Sequence, residues 1–277
     1  MTIRCQGKLL GFDTPLVMGI LNLTPDSFHD GGKYNDIHTI LHQVEKMLTE
    51  GADMIDIGGM SSKPGSAIIA VGEELKRVIE PIQAIVKHFP DVVLSIDTIH
   101  ATVAEQAVQA GCSIINDISA GMLDEAMLST VARLQVPYII MHMRGTPATM
   151  QDNPTYDNVV TEVIDYLATR IKVCREIGIR DIIIDPGFGF GKTIPHNYQL
   201  LNSLSLFAML GCPILAGLSR KSMITKLLNI KNADALNGTT VLNTLALLNG
   251  ANILRVHDVK EAKEAIRLVK ELSSYKD

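Results

Sequence analysis

The chain has 277 residues, 47% hydrophobic and 20% charged, which permits a large buried core and argues against disorder. Its formal net charge of -5 argues against a nucleic-acid surface, and no secretory hydrophobic segment follows Met1. The four cysteines are widely spaced, which predicts reduced thiols. We therefore expect a cytoplasmic protein that neither spans a membrane nor binds nucleic acid.

Eight short aliphatic segments recur along the chain and are typical of parallel strands covered on both faces. Between them, apolar residues recur at helical spacing, as in a helix that stops at Gly178 and one that begins after Asp258, a favourable N-cap. The strand segments begin at Leu16, Met54, Val92, Ser113, Tyr138, Asp181, Pro213 and Asn252.

This alternation predicts an α/β fold, a (β/α)8 TIM barrel in which residues 1–277 form a single domain. A doubly wound open sheet is the alternative, but no glycine-rich dinucleotide loop follows the first strand. Residues 1–14, which include GKLLGFD, are expected to form a hairpin at the bottom of the barrel.

Every predicted strand ends in polar residues, and in such a barrel these ends meet at the face that carries the active site. These residues are Asn22, Asp56, Asp97, Asn116, Asp117, His142, Asp185, Ser219, Arg220, Lys221, Arg255 and His257. We expect Asp56 to hold the loop that follows it. His142 is expected either to support a loop or to contact a ligand.

Two groups among these residues indicate what is bound. Asp97, Asn116 and Asp185 supply hydrogen-bond acceptors that suit a ring rich in N–H donors, such as a 2-amino-4-oxo-pyrimidine. The cationic residues after the last two strands, with the start of a helix near Ser222, favour phosphate binding by up to four donors. These four are Arg220, Lys221, Arg255 and His257.

The segment DPGFGFGKT is not a P-loop, because Pro186 stands where that motif requires glycine. Its two phenylalanines, Phe188 and Phe190, can instead lie against a flat ring. The scattered histidines show no spacing typical of a zinc site.

Taken together, NLTPDSF, DIGG, SIDT, IIND, IIDPGFGFGK, GLSRKS and RVHD resemble, in order and spacing, the dihydropteroate synthase family of folate biosynthesis. The resemblance implies that 6-hydroxymethyl-7,8-dihydropterin pyrophosphate and p-aminobenzoate condense to 7,8-dihydropteroate and pyrophosphate. It also implies Mg2+ as the cofactor, small molecules as the substrates, and a homodimer formed through outer helices.

The resemblance assigns a role to each site residue. Asp97, Asn116, Ile118, Met141, Asp185, Gly217 and Lys221 would bind the pterin. Ser62, Lys63, Pro64, Phe190, Lys221 and Ser222 would bind p-aminobenzoate. Asn22, Ser62, Arg255 and His257 would bind pyrophosphate, with Asn22 also a ligand of Mg2+. The catalytic residues would be Asp97, Lys221, Arg255 and His257.

The chemistry that the resemblance implies begins with departure of the leaving group, because the electron-rich dihydropterin can support a cation at its exocyclic methylene. Loops 22–35 and 59–72 are expected to close over the site and exclude water. The second loop departs from the family pattern, with Met60, Ser62 and Lys63 in place of an acid, a threonine and an arginine. Lys63 keeps the charge of arginine but not its flat bidentate fork.

Two other functions remain as alternatives. A pterin-binding methyltransferase on a similar barrel would keep the pterin-binding acids but has no use for the Asn22 loop or Lys221. A non-catalytic pterin-binding paralogue would be expected to lose Asn22, Lys221 or Arg255, and all three are present.

Overall fold

The computed structural model describes residues 1–5, 7–24, 37–61 and 65–275. It opens with an antiparallel pair, β1 (Thr2–Cys5) and β2 (Lys8–Gly11). The parallel strands are β3 (Leu16–Asn22), β4 (Met54–Gly58), β5 (Leu94–Asp97), β6 (Ile114–Asp117), β7 (Tyr138–Met141), β8 (Ile182–Asp185), β9 (Leu215–Ala216) and β10 (Ile253–Val256). All eight predicted strands are therefore confirmed.

Helices alternate with these strands and cover the outside of the sheet. They are α1 (Ile37–Thr49), α2 (Val71–His88), α3 (Ala101–Ala110), α4 (Met127–Leu134), α5 (Val159–Glu176), α6 (Ile194–Asn202), α7 (Ser222–Leu228), α8 (Leu236–Leu248) and α9 (Val259–Ser273). Gly178, at φ +96°, follows the end of α5 as predicted, because glycine adopts this left-handed conformation without strain.

The parallel strands form one sheet in the order β8-β7-β6-β5-β4-β3-β10-β9. The sheet closes between β8 and the segment before β9, where Ile184 bridges Ile214 and the Ile184 N–H donates to Pro213 O at 2.9 Å. Every residue of β4 to β8 is buried, as expected for strands covered on both faces. The fold is the predicted (β/α)8 barrel.

The amino-terminal hairpin lies against the lower end of the barrel, as predicted. Ile3, Cys5 and Phe12 join one buried cluster with residues at the starts of the strands. The strand residues of this cluster are Met18, Met54, Ile114, Ile139, Ile183, Leu215 and Ile253. Because this cluster fills the lower end, the opposite end, formed by the carboxyl ends of the strands, is free to hold a site; we call it the barrel mouth.

The four cysteines are buried and unpaired, which confirms the prediction of reduced thiols. Burial raises the pKa of the Cys5 thiol to about 11, so it stays protonated and unreactive near neutral pH. Among the helices in the described ranges, none is long and apolar enough to cross a membrane.

Candidate active site

An arginine clamped by two carboxylates lies at the centre of the barrel mouth. Arg255 donates from Nε to Asp56 Oδ2 at 2.6 Å and from Nη2 to Asp97 Oδ2 at 2.7 Å. Burial works against the guanidinium charge, but the two carboxylates outweigh it and raise the Arg255 pKa above its ordinary value. Arg255 is thus a fixed cation, and Nη1 has no partner within the described part of the chain.

Asp56 is fully buried and holds site residues together rather than a loop. Its Oδ2 also accepts a hydrogen bond from Asn116 Nδ2 at 2.9 Å, while its Oδ1 has no hydrogen-bond partner among the described residues. The prediction that Asp56 supports the following loop is therefore wrong. One oxygen orients both the predicted pterin-binding amide of Asn116 and the guanidinium of Arg255.

Asp97 and Asp185 are the carboxylates that the sequence assigned to ring binding. Burial raises the pKa of Asp97 to about 7, although the Arg255 charge opposes the shift. Asp185 ends β8, where its Oδ1 accepts the Gly187 N–H at 2.7 Å, and burial raises its pKa. A Cβ on Gly217 would lie 3.9 Å from Asp185 Oδ2, so glycine there keeps space open beside that oxygen.

Lys221 stands beside Asp185 and contacts the aromatic loop after β8. Its Nζ donates to Phe188 O at 2.5 Å and lies 4.2 Å from the centre of the Phe190 ring. Burial lowers the pKa of Lys221 to about 8, against the attraction of Asp185. The predicted p-aminobenzoate residues Phe190 and Lys221 are thus brought together, with Ser222 next in the chain at the start of α7.

Apolar side chains form one wall of the barrel mouth. Met60, Ile99, Ile118 and Met141 make a buried cluster against which Phe190 packs. The cluster unites Ile118 and Met141, predicted to line the pterin pocket, with Phe190. An apolar surface near the polar residues of the mouth suits a planar ring with polar edges.

Lys192 is buried beneath the aromatic loop and ties it to β7. Its Nζ lies 2.9 Å from His142 Nδ1 and donates to Gly187 O at 2.9 Å and Phe190 O at 3.0 Å. Burial and the Lys192 charge lower the pKa of His142 to about 2, so this imidazole is neutral. His142 therefore supports the loop, which was one of the two roles expected of it.

Ser219 and His257 face each other after β9 and β10. Ser219 Oγ lies 2.9 Å from His257 Nδ1 and accepts the His257 backbone N–H at 3.2 Å. Part of the His257 side chain is exposed at the rim. Partial loss of hydration of the imidazole, together with the charge of Arg255, lowers the pKa of His257 to about 4.

Arg220 does not join the phosphate donors that the sequence predicted. It donates to both carboxylate oxygens of Asp258, at 3.0 Å and 2.8 Å, and to Asn232 O and Ala233 O. Because Asp258 is engaged in this pair, it stands at the N-cap position of α9 without a side-chain capping hydrogen bond. The predicted donor set is therefore reduced to Lys221, Arg255 and His257.

Asn22 ends β3 beside Gly58. A Cβ on Gly58 would lie 3.7 Å from Asn22 Oδ1 and 3.7 Å from Asp97 Cβ, so glycine keeps open the space next to both residues. In the described ranges, no group of three or more His, Cys, Asp or Glu side chains could hold a metal ion. A metal ion at Asn22 would thus take most of its ligands from substrate oxygens and water.

Several predicted features lie outside the described residues. These are Ser62, Lys63 and Pro64 of the p-aminobenzoate site and most of the first expected closing loop, residues 25–36. Loop closure stays a prediction.

Lys192 and Glu74 were not singled out from the sequence. The position of Lys192, at the end of a glycine-rich loop that follows a strand, could have indicated its role. Glu74 is buried on α2, 3.8 Å from His100 Nδ1, and burial raises its pKa to about 7. Its place beside Glu73 in the first turn of α2, where acidic residues are common, gave no sign that it would be buried.

The chain is similar over its whole length to proteins named dihydropteroate synthase. It is 43% identical to the dihydropteroate synthase of Escherichia coli strain K12, covering 100% of this chain and 98% of the relative. Its fold matches Yersinia pestis dihydropteroate synthase, solved with a sulfonamide drug complex, with a TM-score of 0.94, 42% identity and coverage of 99% and 100%. It matches the Xanthomonas albilineans enzyme in complex with 7,8-dihydropteroate with a TM-score of 0.89, 38% identity and 100% coverage of both chains.

The fold and the barrel mouth define a (β/α)8-barrel enzyme whose site pairs buried carboxylates with fixed cations. A family model described as pterin binding enzyme matches residues 18–257. The chain therefore belongs to the pterin binding enzyme family, among the dihydropteroate synthases, which are transferases.

Proposed function

We propose that the chain joins 6-hydroxymethyl-7,8-dihydropterin pyrophosphate to p-aminobenzoate, giving 7,8-dihydropteroate and pyrophosphate with the assistance of Mg2+. The observation that carries the proposal is the convergence of Asp97, Asn116 and Asp185 with Lys221 and Arg255 at one barrel mouth. The full-length similarity to a protein solved in complex with 7,8-dihydropteroate supports the same substrates.

The ring-binding part of the proposal rests on Asp185. Its Oδ1 is occupied by the Gly187 N–H, while Oδ2 lies beside the space that Gly217 keeps open. A carboxylate oxygen in that place accepts from adjacent N–H donors of a pterin ring. The cluster of Ile118, Met141 and Phe190 would then lie against the ring face.

The leaving group would be bound by Arg255 and His257. Among the described residues, Nε and Nη2 of Arg255 are held by Asp56 and Asp97, while Nη1 has no partner and would be placed to donate. Fixed donors stabilise negative charge that develops on pyrophosphate without having to reorganise. His257 adds a donor that is neutral near pH 7.

Mg2+ fits the donor set at Asn22. Magnesium keeps several waters and takes one or two protein oxygens together with substrate phosphates, so a single amide oxygen beside open space is a sufficient protein contribution. When bound, the ion would neutralise charge developing on the departing pyrophosphate.

We further propose that the C–O bond to pyrophosphate breaks first and that its electron pair leaves with pyrophosphate. A pterin bound at the barrel mouth would lie near the carboxyl groups of Asp56, Asp97 and Asp185, and their ionised forms would favour a cation on the ring and its methylene. The arylamine nitrogen of p-aminobenzoate, which would lie near Phe190 and Lys221, then forms the new C–N bond to the methylene and releases one proton to solvent.

The reaction is tested by measuring pyrophosphate release from the purified chain with both substrates and Mg2+. We expect release to require both substrates and to stop when a chelator is added; equal rates with and without chelator would remove the metal from the mechanism. Leaving-group order is tested by positional isotope exchange of the bridging oxygen without p-aminobenzoate. Exchange supports early departure, and its absence contradicts it.

The pterin assignment is tested by titration calorimetry of Asp185→Asn with the pterin pyrophosphate. An amide in place of the carboxylate puts a donor against a ring donor, so binding should be lost while the fold is kept. Unchanged affinity would make Asp185 a structural residue. Transfer of a methyl group from methyltetrahydrofolate to a corrinoid protein, without pyrophosphate release, would favour the methyltransferase alternative.

We also propose a cytoplasmic homodimer. Exposed apolar side chains on the outer face of α8 and α9 support self-association: Val241, Leu245, Leu248, Leu268 and Leu272. Analytical ultracentrifugation should give twice the monomer mass for the native chain, and Leu245→Glu should shift the equilibrium to the monomer. A monomeric native chain at micromolar concentration would contradict the proposal.

A further inference from the structure

The contact between Ser219 and His257 determines where the imidazole carries its proton. The Ser219 hydroxyl has two partners, the backbone N–H of His257 at 3.2 Å and His257 Nδ1 at 2.9 Å. The backbone group can only donate, so Ser219 Oγ is its acceptor. The hydroxyl proton is then available for Nδ1.

The opposite arrangement leaves a proton without an acceptor. If His257 Nδ1 carried the proton, Ser219 Oγ would accept two hydrogen bonds and its own O–H would need a third partner. No other acceptor for this hydroxyl is found in the described part of the chain, and Ser219 is only 7% exposed. A buried donor without a partner is unfavourable, so this arrangement is disfavoured.

We propose that Ser219 is a positioning residue that holds the neutral His257 imidazole in the tautomer with its proton on Nε2. The ring nitrogen that has no partner among the described residues is then a hydrogen-bond donor at the barrel mouth. Given the proposed function, that donor serves the pyrophosphate oxygens, and the site gains a donor without holding a third cation beside Arg255 and Lys221.

The surrounding structure fixes the two residues relative to each other. Arg220, next to Ser219, forms the bidentate pair with Asp258, next to His257, at 2.8 Å and 3.0 Å. The Arg220 backbone is left-handed, at φ +54°, and its N–H donates to Thr239 Oγ1 at 3.0 Å. A non-glycine residue keeps this conformation only where neighbouring contacts hold it, which indicates that the geometry of Ser219 is imposed by the fold.

Neutrality of the ring agrees with its environment. Burial and the charge of Arg255 lower the pKa of His257 to about 4, with smaller contributions from Arg220 and Lys221 in the same direction. Asp258 opposes the shift, but its carboxylate is engaged by Arg220. At neutral pH the ring therefore carries one proton, and Ser219 decides which nitrogen holds it.

The test is nitrogen NMR of the full chain labelled with 15N-histidine, at pH 7 and without ligands. His257 is assigned by the signal lost in His257→Gln, and its two ring nitrogens are read in native chain, Ser219→Ala and Ser219→Thr. We expect Nε2–H in the native chain and in Ser219→Thr, which keeps a hydroxyl. A mixture of both tautomers is expected in Ser219→Ala.

Binding of inorganic pyrophosphate with Mg2+ is measured on the same variants by calorimetry. Ser219→Ala should bind about fivefold more weakly, as expected for loss of one well-placed hydrogen bond, and Ser205→Ala, at an exposed position, should match the native chain. Thermal unfolding checks that each variant is folded.

The NMR spectra test whether Ser219 sets the tautomer of His257, and the calorimetry tests whether His257 binds pyrophosphate. An Nδ1–H tautomer or an imidazolium in the native chain, or an unchanged His257 spectrum in Ser219→Ala, would overturn the role of Ser219. The expected change of tautomer without any change in pyrophosphate affinity would support that role and instead contradict pyrophosphate binding by His257. If Ser219→Ala does not fold, the native chain and Ser219→Thr still decide the tautomer.

Discussion

Replacing Asp56 separates its charge from its hydrogen bonds. Both bonds, from Arg255 Nε at 2.6 Å and Asn116 Nδ2 at 2.9 Å, end on Oδ2, and Oδ1 has no partner in the part of the chain that the structure describes. In Asp56→Asn, the amide oxygen can take the place of Oδ2 and the amide nitrogen that of Oδ1. The two hydrogen bonds then survive and only the negative charge is lost. Asp56→Ala, in contrast, removes the charge and the two hydrogen bonds.

The two variants should therefore differ in stability. Hydrogen bonds to charged groups contribute about 1.5–3 kcal/mol and neutral ones about 1 kcal/mol, so Asp56→Asn should lose about 1–2 kcal/mol. Asp56→Ala leaves the partly buried Arg255 with Asp97 as its remaining carboxylate partner in the described structure. Breaking a buried ion pair in this way destabilises by about 3–5 kcal/mol.

The free energy of unfolding is measured by urea titration at pH 7, with Asp152→Asn as the exposed control. We expect the free energy of unfolding to be highest for the control, lower for Asp56→Asn and lowest for Asp56→Ala, with similar m-values for all three. Equal losses in the two Asp56 variants would refute the reasoning, because the shared oxygen would then not be what holds Arg255 and Asn116.

Three further outcomes are expected. Burial raises the Glu74 pKa from 4.5 to about 7, so the folded state retains a proton that the unfolded chain releases, and native stability should fall between these pH values. Glu74→Gln, but not the exposed Glu264→Gln, should remove up to about 3 kcal/mol of that fall in urea titrations across the range. The Lys221 pKa of about 8 predicts that kcat/KM declines above pH 8, and Lys221→Arg should move the decline to higher pH. Lys192→Met leaves buried acceptors unpaired and should lose about 2–4 kcal/mol by thermal unfolding, whereas Lys172→Met, 77% exposed, should lose little.

The barrel was predictable because its signals are local. Each strand is a short apolar run, and helical spacing between runs identifies the covering helices. The hairpin at the bottom was also predicted, since GKLLGFD places a glycine between two short segments. These features depend on neighbours in the chain, so no long-range information was needed.

The residues that make up the site were predictable from the sequence, but the hydrogen bonds and ion pairs among them were not. Strand ends meet at one face, so the sequence identified Asp97, Asp185 and Arg255 as neighbours in space. Which of these side chains form hydrogen bonds with each other depends on residues far apart in the sequence, since Arg255 and Asp56 are separated by 199 residues. The expected roles of Asp56 and Arg220 were wrong because each is held by residues distant in the sequence: Asp56 by Arg255 and Asn116, and Arg220 by Asp258 after the neighbouring strand β10.

The closure of the barrel has a consequence for its slow motions. The sheet closes through β9, a strand of two residues, and a single bridge between Ile184 and Ile214. Amide hydrogen exchange should be fastest at this seam among the barrel strands, because few ladder bonds must open there. Asp185 lies on one side of the seam and Lys221 on the other, so a ligand that contacts both would join the two edges. Binding at the mouth should therefore slow exchange at Ile184 and Ile214 more than on the opposite side of the barrel.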